Sequence, residues 1–222
     1  MEKRKIIFGN YDTALDGLWT LTGWSLSEPS YKSNFVAVPG RDGDLDLSTA
    51  LTDGTPRYSN RTLTATFECS EGTRLEREDT INTMVNWLDG WRMDIILPDD
   101  DDHYITGRVR VKREYNDPSH AAVTVTATCD PWRYSDRETV VKLTATEAVQ
   151  TAVLTNSGRK TVVPLLVIEG EGASIDLTFG AASWGLSAGT YQLPDLVLNQ
   201  GSVSLTYKGT GDLTFTYREA VL

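Results

Sequence analysis

Histidine, clustered carboxylates and thiols are the side chains that do most protein chemistry near neutral pH, and this chain uses them sparingly. It carries two histidines, His103 and His120, among 222 residues. Proton-transfer catalysis leans on histidine because its pKa lies near the working pH. His103 follows the aspartate run 99–102 and His120 follows Pro118-Ser119, so both read as exposed loop residues. Neither belongs to a nucleophile motif such as G-x-S-x-G. A hydrolase with a dispersed active site is the only enzymatic alternative, and no spacing supports it. The expectation is a protein that catalyses nothing.

The metal candidate is Asp99-Asp100-Asp101-Asp102. A calcium loop sets its ligands at alternate positions around a glycine so that they converge on one ion. Four consecutive carboxylates point in different directions, so the run reads as a solvated hairpin tip and no metal is expected. Gly209-Thr210-Gly211 looks like a fragment of a phosphate loop, but no helix follows it, and a hairpin turn is expected there. No cofactor fingerprint appears. Cys69 and Cys129 both end alternating patterns on the apolar phase, which predicts buried thiols. Trp184, in Gly180-Ala181-Ala182-Ser183-Trp184-Gly185, and the following Tyr191 are candidates for stacking on a sugar. The alternative is that Trp184 closes one end of a core.

The elements that position these residues are mostly strands. Leu63-Thr64-Ala65-Thr66-Phe67-Glu68-Cys69 and Val123-Thr124-Val125-Thr126-Ala127-Thr128-Cys129 alternate with period two, threonine filling the outward positions. One helix stands out, over about 74–89. Thr73-Arg74-Leu75-Glu76 is a capping box, Ile81, Met84, Val85 and Leu88 form one apolar face, and Asp89-Gly90 ends it. Asn82 and Asn86 are expected to face away from the sheet beneath. A hairpin follows, with Met93, Ile95 and Leu97 on one strand and Ile105, Val109 and Val111 on the other. Asn116-Asp117-Pro118-Ser119 turns the chain into the Val123 strand.

Near Asp130-Pro131-Trp132-Arg133-Tyr134-Ser135-Asp136 the texture changes to short strands with glycines between or beside them: 162–168, 174–179, 202–207 and 212–217. Two domains are expected, 1–136 and 137–222, the second a small sandwich or jelly roll. The net charge of −10 argues against a surface made to grip nucleic acid. Residues 1–138 carry −8 of it and residues 139–222 the remaining −2. No apolar run approaches the ~20 residues of a membrane-spanning helix, and the N-terminus lacks the long apolar region of a secretory signal. Folding in the cytoplasm is the expectation.

Several stretches in order carry a resemblance. Trp24-Ser25-Leu26-Ser27-Glu28-Pro29 leads to Val36-Ala37-Val38-Pro39-Gly40-Arg41-Asp42-Gly43-Asp44-Leu45-Asp46-Leu47-Ser48. Tyr58-Ser59-Asn60-Arg61-Thr62-Leu63 follows, then the helix, the acidic hairpin, Cys129-Asp130-Pro131-Trp132-Arg133-Tyr134-Ser135, and the closing Leu213-Thr214-Phe215-Thr216-Tyr217-Arg218-Glu219-Ala220-Val221-Leu222. The series resembles the distal tail proteins of long, non-contractile-tailed bacteriophages and their prophages. The resemblance implies a mainly β fold: an N-terminal tail-tube-like β-sandwich or barrel with one helix, then a C-terminal galectin-like sandwich. It implies a homohexameric ring in the virion, between the tail tube protein above and the tail-associated hub protein below. Receptor-binding proteins can sit at its periphery, and DNA passes through its channel without specific binding.

Two further expectations concern this chain. Its second domain has about 85 residues and no room for an inserted sugar-binding module, which speaks against direct host binding. Asp44 and Asp46, on the acidic face of a strand, are candidates for the channel wall, where like charge repels the DNA backbone. The strand containing Arg108 and Arg113 is the competing candidate. Pro39-Gly40 suits a type II turn at the start of that acidic segment. The rival to a ring is a carbohydrate-binding module that attaches a phage or an enzyme to a cell wall.

Overall fold

A computed structural model describes residues 4–16, 19–52, 54–98 and 100–222. Residues 1–3, at the start of the segment weighed as a secretory signal, and Asp99 of the aspartate run lie outside the described residues. The chain is mainly β and divides into two compact units, Met1–Arg133 and Tyr134–Leu222.

The first unit is built on strands β1 (Ile7–Phe8), β2 (Tyr11–Asp12), β3 (Thr20–Leu26), β4 (Phe35–Val36), β5 (Leu45–Asp46) and β6 (Arg61–Cys69). Helix α1 (Arg74–Leu88) and strands β7 (Arg92–Ile96), β8 (His103–Asn116) and β9 (Ala121–Ser135) complete the set. Its main sheet runs in the order β2-β1-β7-β8-β9-β6-β3. β6 and β9 pair antiparallel over nine residues, with Leu63 opposite Ala127, Ala65 opposite Val125 and Phe67 opposite Val123. These residues are buried, while the threonines between them turn outward, as the alternation requires.

Helix α1 lays Ile81, Met84 and Leu88 into that core. Its capping box forms as the sequence predicts: Thr73 Oγ1 accepts from the Glu76 amide, and the Glu76 carboxylate accepts from the Thr73 amide at 2.7 Å. Two details differ from expectation. Asn82 is not free on the outer face, because its Oδ1 accepts from Arg113 Nη2 of β8 at 2.5 Å. Arg77 joins the buried face, donating from Nη1 to the Gly72 carbonyl and from Nη2 to the Asp117 carbonyl, each at 2.7 Å. Bonding the guanidinium to carbonyls at both ends ties the helix start to the β8–β9 turn. The stretch after Cys129, where the boundary between domains was expected, is the last part of β9, which continues through Ser135.

The second unit holds β10 (Thr139–Ala145), β11 (Gln150–Asn156), β12 (Leu165–Phe179), β13 (Ala182–Ser187), β14 (Gly189–Gln192) and β15 (Gly201–Tyr217). Here the expected short strands fuse. β12 and β15 each run unbroken through the positions read as turns, including Gly209-Thr210-Gly211. Each contributes one half to either layer of a sandwich. The order β10-β15-β12-β14 uses Gly211–Tyr217 and Leu165–Glu169, and β11-β15-β12-β13 uses Gly201–Tyr207 and Ser174–Phe179. Side chains from both layers, among them Leu166, Ile175, Leu205 and Phe215, share one core.

The glycines make that crossing possible. Gly209 has φ +130°, and a Cβ placed on it would lie 2.0 Å from the Ser174 carbonyl oxygen. The register of β12 against β15 shifts between Glu169 and Ser174 at the same place. The glycines thus serve close backbone approach at a strand bend, not a reversal of the chain.

Candidate functional site

The catalytic candidates are best judged by geometry. Asp117, Ser119 and His120 do come together, in the β8–β9 turn. Ser119 Oγ donates to Asp117 Oδ1 at 2.7 Å and sits 2.7 Å from His120 Nδ1, while His120 Nε2 lies 3.0 Å from Tyr115 Oη. A hydrolytic triad needs the serine on one imidazole nitrogen and the carboxylate on the other. Here serine and aspartate crowd the same nitrogen, and the serine hydroxyl is already donated to the aspartate. The arrangement is an Asx turn. Donation from the His120 amide, then from the Ser119 hydroxyl and amide, pulls the Asp117 carboxyl down to about 2.

His103 Nδ1 lies 2.8 Å from Asp100 Oδ1, whose other oxygen accepts from Arg133 at 3.0 Å. Asp101 and Asp102 point into solvent. Among the described residues no three potential metal ligands cluster. Cys69 and Cys129 are free and buried, and they stand at opposite ends of the β6–β9 pair, opposite Ala121 and Arg61 respectively. Burial pushes the Cys129 thiol up to about 11, which keeps it protonated.

Trp184 lies in a strand, β13, and not in a loop. It takes the inward phase with Ala182 and Leu186, and its half-buried ring packs on the core. Tyr191, on β14 in the other layer, also packs on the core and donates from Oη to the Ser187 carbonyl at 3.0 Å. Both rings thus spend much of their surface on their own unit.

The exposed surface of the first unit is more informative. Between β3 and β6 the chain leaves the sheet as an arm, residues 27–60, in which no described residue is buried. Its base is pinned: Arg61, itself buried, donates from Nε to the Ser27 carbonyl at 2.7 Å, and Tyr58 meets Trp132 edge-on at 5.5 Å. Farther out, Tyr31 bridges Tyr58, β4 pairs with β5, and the Leu47 amide donates to the Asn34 carbonyl at 2.8 Å. The turn at Pro39-Gly40 closes with Arg41 N–H on Val38 O and φ +80° at Gly40, the type II geometry expected. The arm is therefore formed, yet Tyr31, Phe35, Val36, Val38, Leu47 and Leu51 are all exposed, Leu51 at 99%.

Asp44 and Asp46 belong to this arm. The strand that bears Asp46 is two residues long and Asp44 precedes it, so the pair decorates a projecting hairpin and not a long acidic sheet face. Asp46 Oδ1 accepts from the Ser48 amide at 2.9 Å, and hydrogen bonds from Ser48 lower its pKa.

A second exposed feature lies where α1 ends against β1 and β7. Trp87 and Trp91, 60% and 63% exposed, flank an open groove of about 470 Å³ floored by Phe8 and Met93. Trp91 is held by backbone pairing, its carbonyl accepting from Val109 and the neighbouring Gly90 amide donating to Val109 O, both at 2.8 Å. The expected apolar helix face accounts for Leu88; the Trp87 and Trp91 spacing carried the signal for the groove and was not read as one. Edge strand β3 adds a third exposed element, with a neighbour on one side only in the strand order.

The crystal structure of the Dit protein (gp 19.1) of phage SPP1 superposes on this chain with a TM-score of 0.70, covering 100% of both chains at 16% identity. The fold is that of a phage distal tail protein. That structure is described as a paradigm of the hub adsorption apparatus in phages that infect Gram-positive bacteria. The likeness to the distal tail protein takes in both units, as coverage of the full length requires. No family model and no curated protein sequence matches the chain.

Proposed function

We propose that this chain is a structural protein of a bacteriophage or prophage tail tip. Six copies close into a ring that joins the distal end of the tail tube to the tail-tip hub, and a channel through the ring passes DNA. The first unit forms the ring, and receptor-binding proteins can attach at its periphery. The protein folds in the host cytoplasm and ends in the virion.

The observation that carries this reading is the arm. A formed arm with six large apolar side chains in water is costly for a solitary protein and expected of a subunit. The full-length likeness to a Dit protein supports the tail-tip location, and the number six comes from the family resemblance. Repulsion between DNA phosphates and the net −8 of residues 1–138 keeps a passing genome from adhering.

Native mass measurement and electron microscopy of the full chain test the proposal. Sixfold rings with an open centre, and the same rings at the end of purified tails, are the expected result. A monomer that binds cell-wall glycans and never assembles, alone or on tube ends, would mark it as a carbohydrate-binding module.

A further inference from the structure

The groove flanked by Trp87 and Trp91 is one part of a longer furrow. A second depression of about 270 Å³, lined by Tyr11, Asp16 and Thr83, shares Asn10 and Trp87 with it. The two therefore adjoin, with Trp87 common to both. We propose that this furrow binds a short neutral oligosaccharide, its sugar rings stacked on Trp87 and Trp91 and its hydroxyls paired with the Asn10 and Asn86 amides. The inference goes beyond the ring reading and holds for the chain alone or assembled.

The walls of the furrow are regular structure. Phe8 pairs with Tyr11, so Gly9-Asn10 is a two-residue hairpin turn, with φ +59° at Gly9. The Gly9 amide donates to the Asp94 carbonyl at 2.7 Å, which ties the turn, and Asn10 with it, to β7. On the other wall Thr83, Asn86 and Trp87 follow at helical spacing along α1. Groups carried on paired strands and a helix are held more precisely than groups on loops.

The lining selects the ligand. Two indoles, each more than half exposed, offer flat apolar surface over Phe8 and Met93, and the CH face of a sugar ring packs on such a surface. Beside them, the Asn10 and Asn86 side chains make no hydrogen bond among the described residues. Each amide carries two donors and an acceptor, which suits the neighbouring hydroxyls of a saccharide. A purely apolar occupant would cover those amides without satisfying them. Charge narrows the class further. Among the described residues lining the furrow Arg92 is the only cation, and Asp130 answers it at 2.5 Å, while Asp16 adds an anion. An anionic polymer finds no free countercharge there, and the net −10 of the chain repels it.

Saturation-transfer NMR and titration of the full chain with short oligosaccharides of glucose, galactose, rhamnose and N-acetylglucosamine test the furrow. At least one of them binds, and Trp87→Ala with Trp91→Ala weakens it at least roughly tenfold. Asn86→Ala weakens it by roughly threefold or more. Both variants keep the parental unfolding temperature, because all three side chains are exposed. A parent that binds none of these sugars overturns the inference. So does binding that survives the loss of both indoles, or that is lost with Trp184→Ala instead. A glycerol-phosphate polymer that displaces the neutral sugars overturns it as well. An indole variant that no longer assembles where the parent does assigns the furrow to contact between copies, which also overturns it. A parent that binds sugar in the furrow and never assembles overturns the ring reading and leaves the furrow standing.

Discussion

The arm of the first unit and the sandwich of the second are made of the same material, antiparallel strands with glycines at the changes of direction, and they end in opposite states. In the sandwich, β12 and β15 bend so that both halves of each strand face one core, and Phe215 is fully buried. In the arm, β4 and β5 pair equally well in backbone terms but enclose nothing, and Phe35 is 53% exposed. Backbone pairing therefore shapes a hairpin without deciding what it packs on. That decision belongs to the apolar side chains, and in the arm they stay exposed.

Replacing the same residue type in each region breaks the comparison most sharply. Phe215→Ala removes a ring from a closed core and costs about 4 kcal/mol. Phe35→Ala, on the arm, changes the unfolding free energy by no more than about 0.5 kcal/mol. Urea unfolding of the two full-length variants checks both values. Equal losses would mean that the arm packs on its own chain.

The glycines divide along the same line. Gly209→Ala forces a methyl into the Ser174 carbonyl and holds alanine at φ +130°, so a loss of at least roughly 3 kcal/mol is expected. Gly40→Ala meets nothing within 4 Å, and only its φ of +80° opposes it, at about 1 kcal/mol. Thermal unfolding with a probe in each unit separates them. A mild Gly209→Ala variant would show that the strand bend can relax.

Those two glycines also mark what the sequence can express. Both stand where the backbone needs positive φ, and a turn and a strand crossing make the same demand on the residue. The difference is the opposing Ser174, 35 residues before Gly209, and nothing near Gly209 announces it. Features whose cause is local were legible for the same reason: the Thr73–Glu76 capping box, the type II turn at Gly40, and the alternation of Leu63, Ala65 and Phe67 with outward threonines. Asn82 was misplaced because its partner, Arg113, comes from a strand 31 residues away. The exposed arm and groove were the least legible. Their residues look like ordinary half-buried strand and helix positions until the fold leaves them uncovered.

Trp184 offers a test of intermediate size. Its inward phase on β13 predicts that Trp184→Ala lowers stability by about 2 kcal/mol, less than a fully buried ring because the indole is half exposed. Denaturant titration reads the loss, and a glycan array reads the alternative. An unchanged midpoint together with lost glycan binding would return Trp184 to the surface role first considered.

The smallest effect compares two carboxylates that organise turns, Asp117 in the β8–β9 turn and Asp46 in the arm. Asp117 accepts from the His120 amide and from both the hydroxyl and the amide of Ser119; Asp46 accepts from Ser48. Hydrogen bonds to the ionised form depress both pKa values, Asp117 to about 2. A depressed carboxylate stabilises the fold fully above its unfolded value of about 3.9, and the contribution is lost as pH falls through the folded value. For Asp117 the window therefore runs from about 4 down to about 2. Carbon-detected NMR titration should place its midpoint near 2, and Asp117→Asn should flatten that part of the stability profile. Asp46 titrates below the ordinary carboxylate range as well, because Ser48 donates to its ionised form. An Asp46 midpoint at the ordinary carboxylate value would show that Ser48 does not hold the turn in solution.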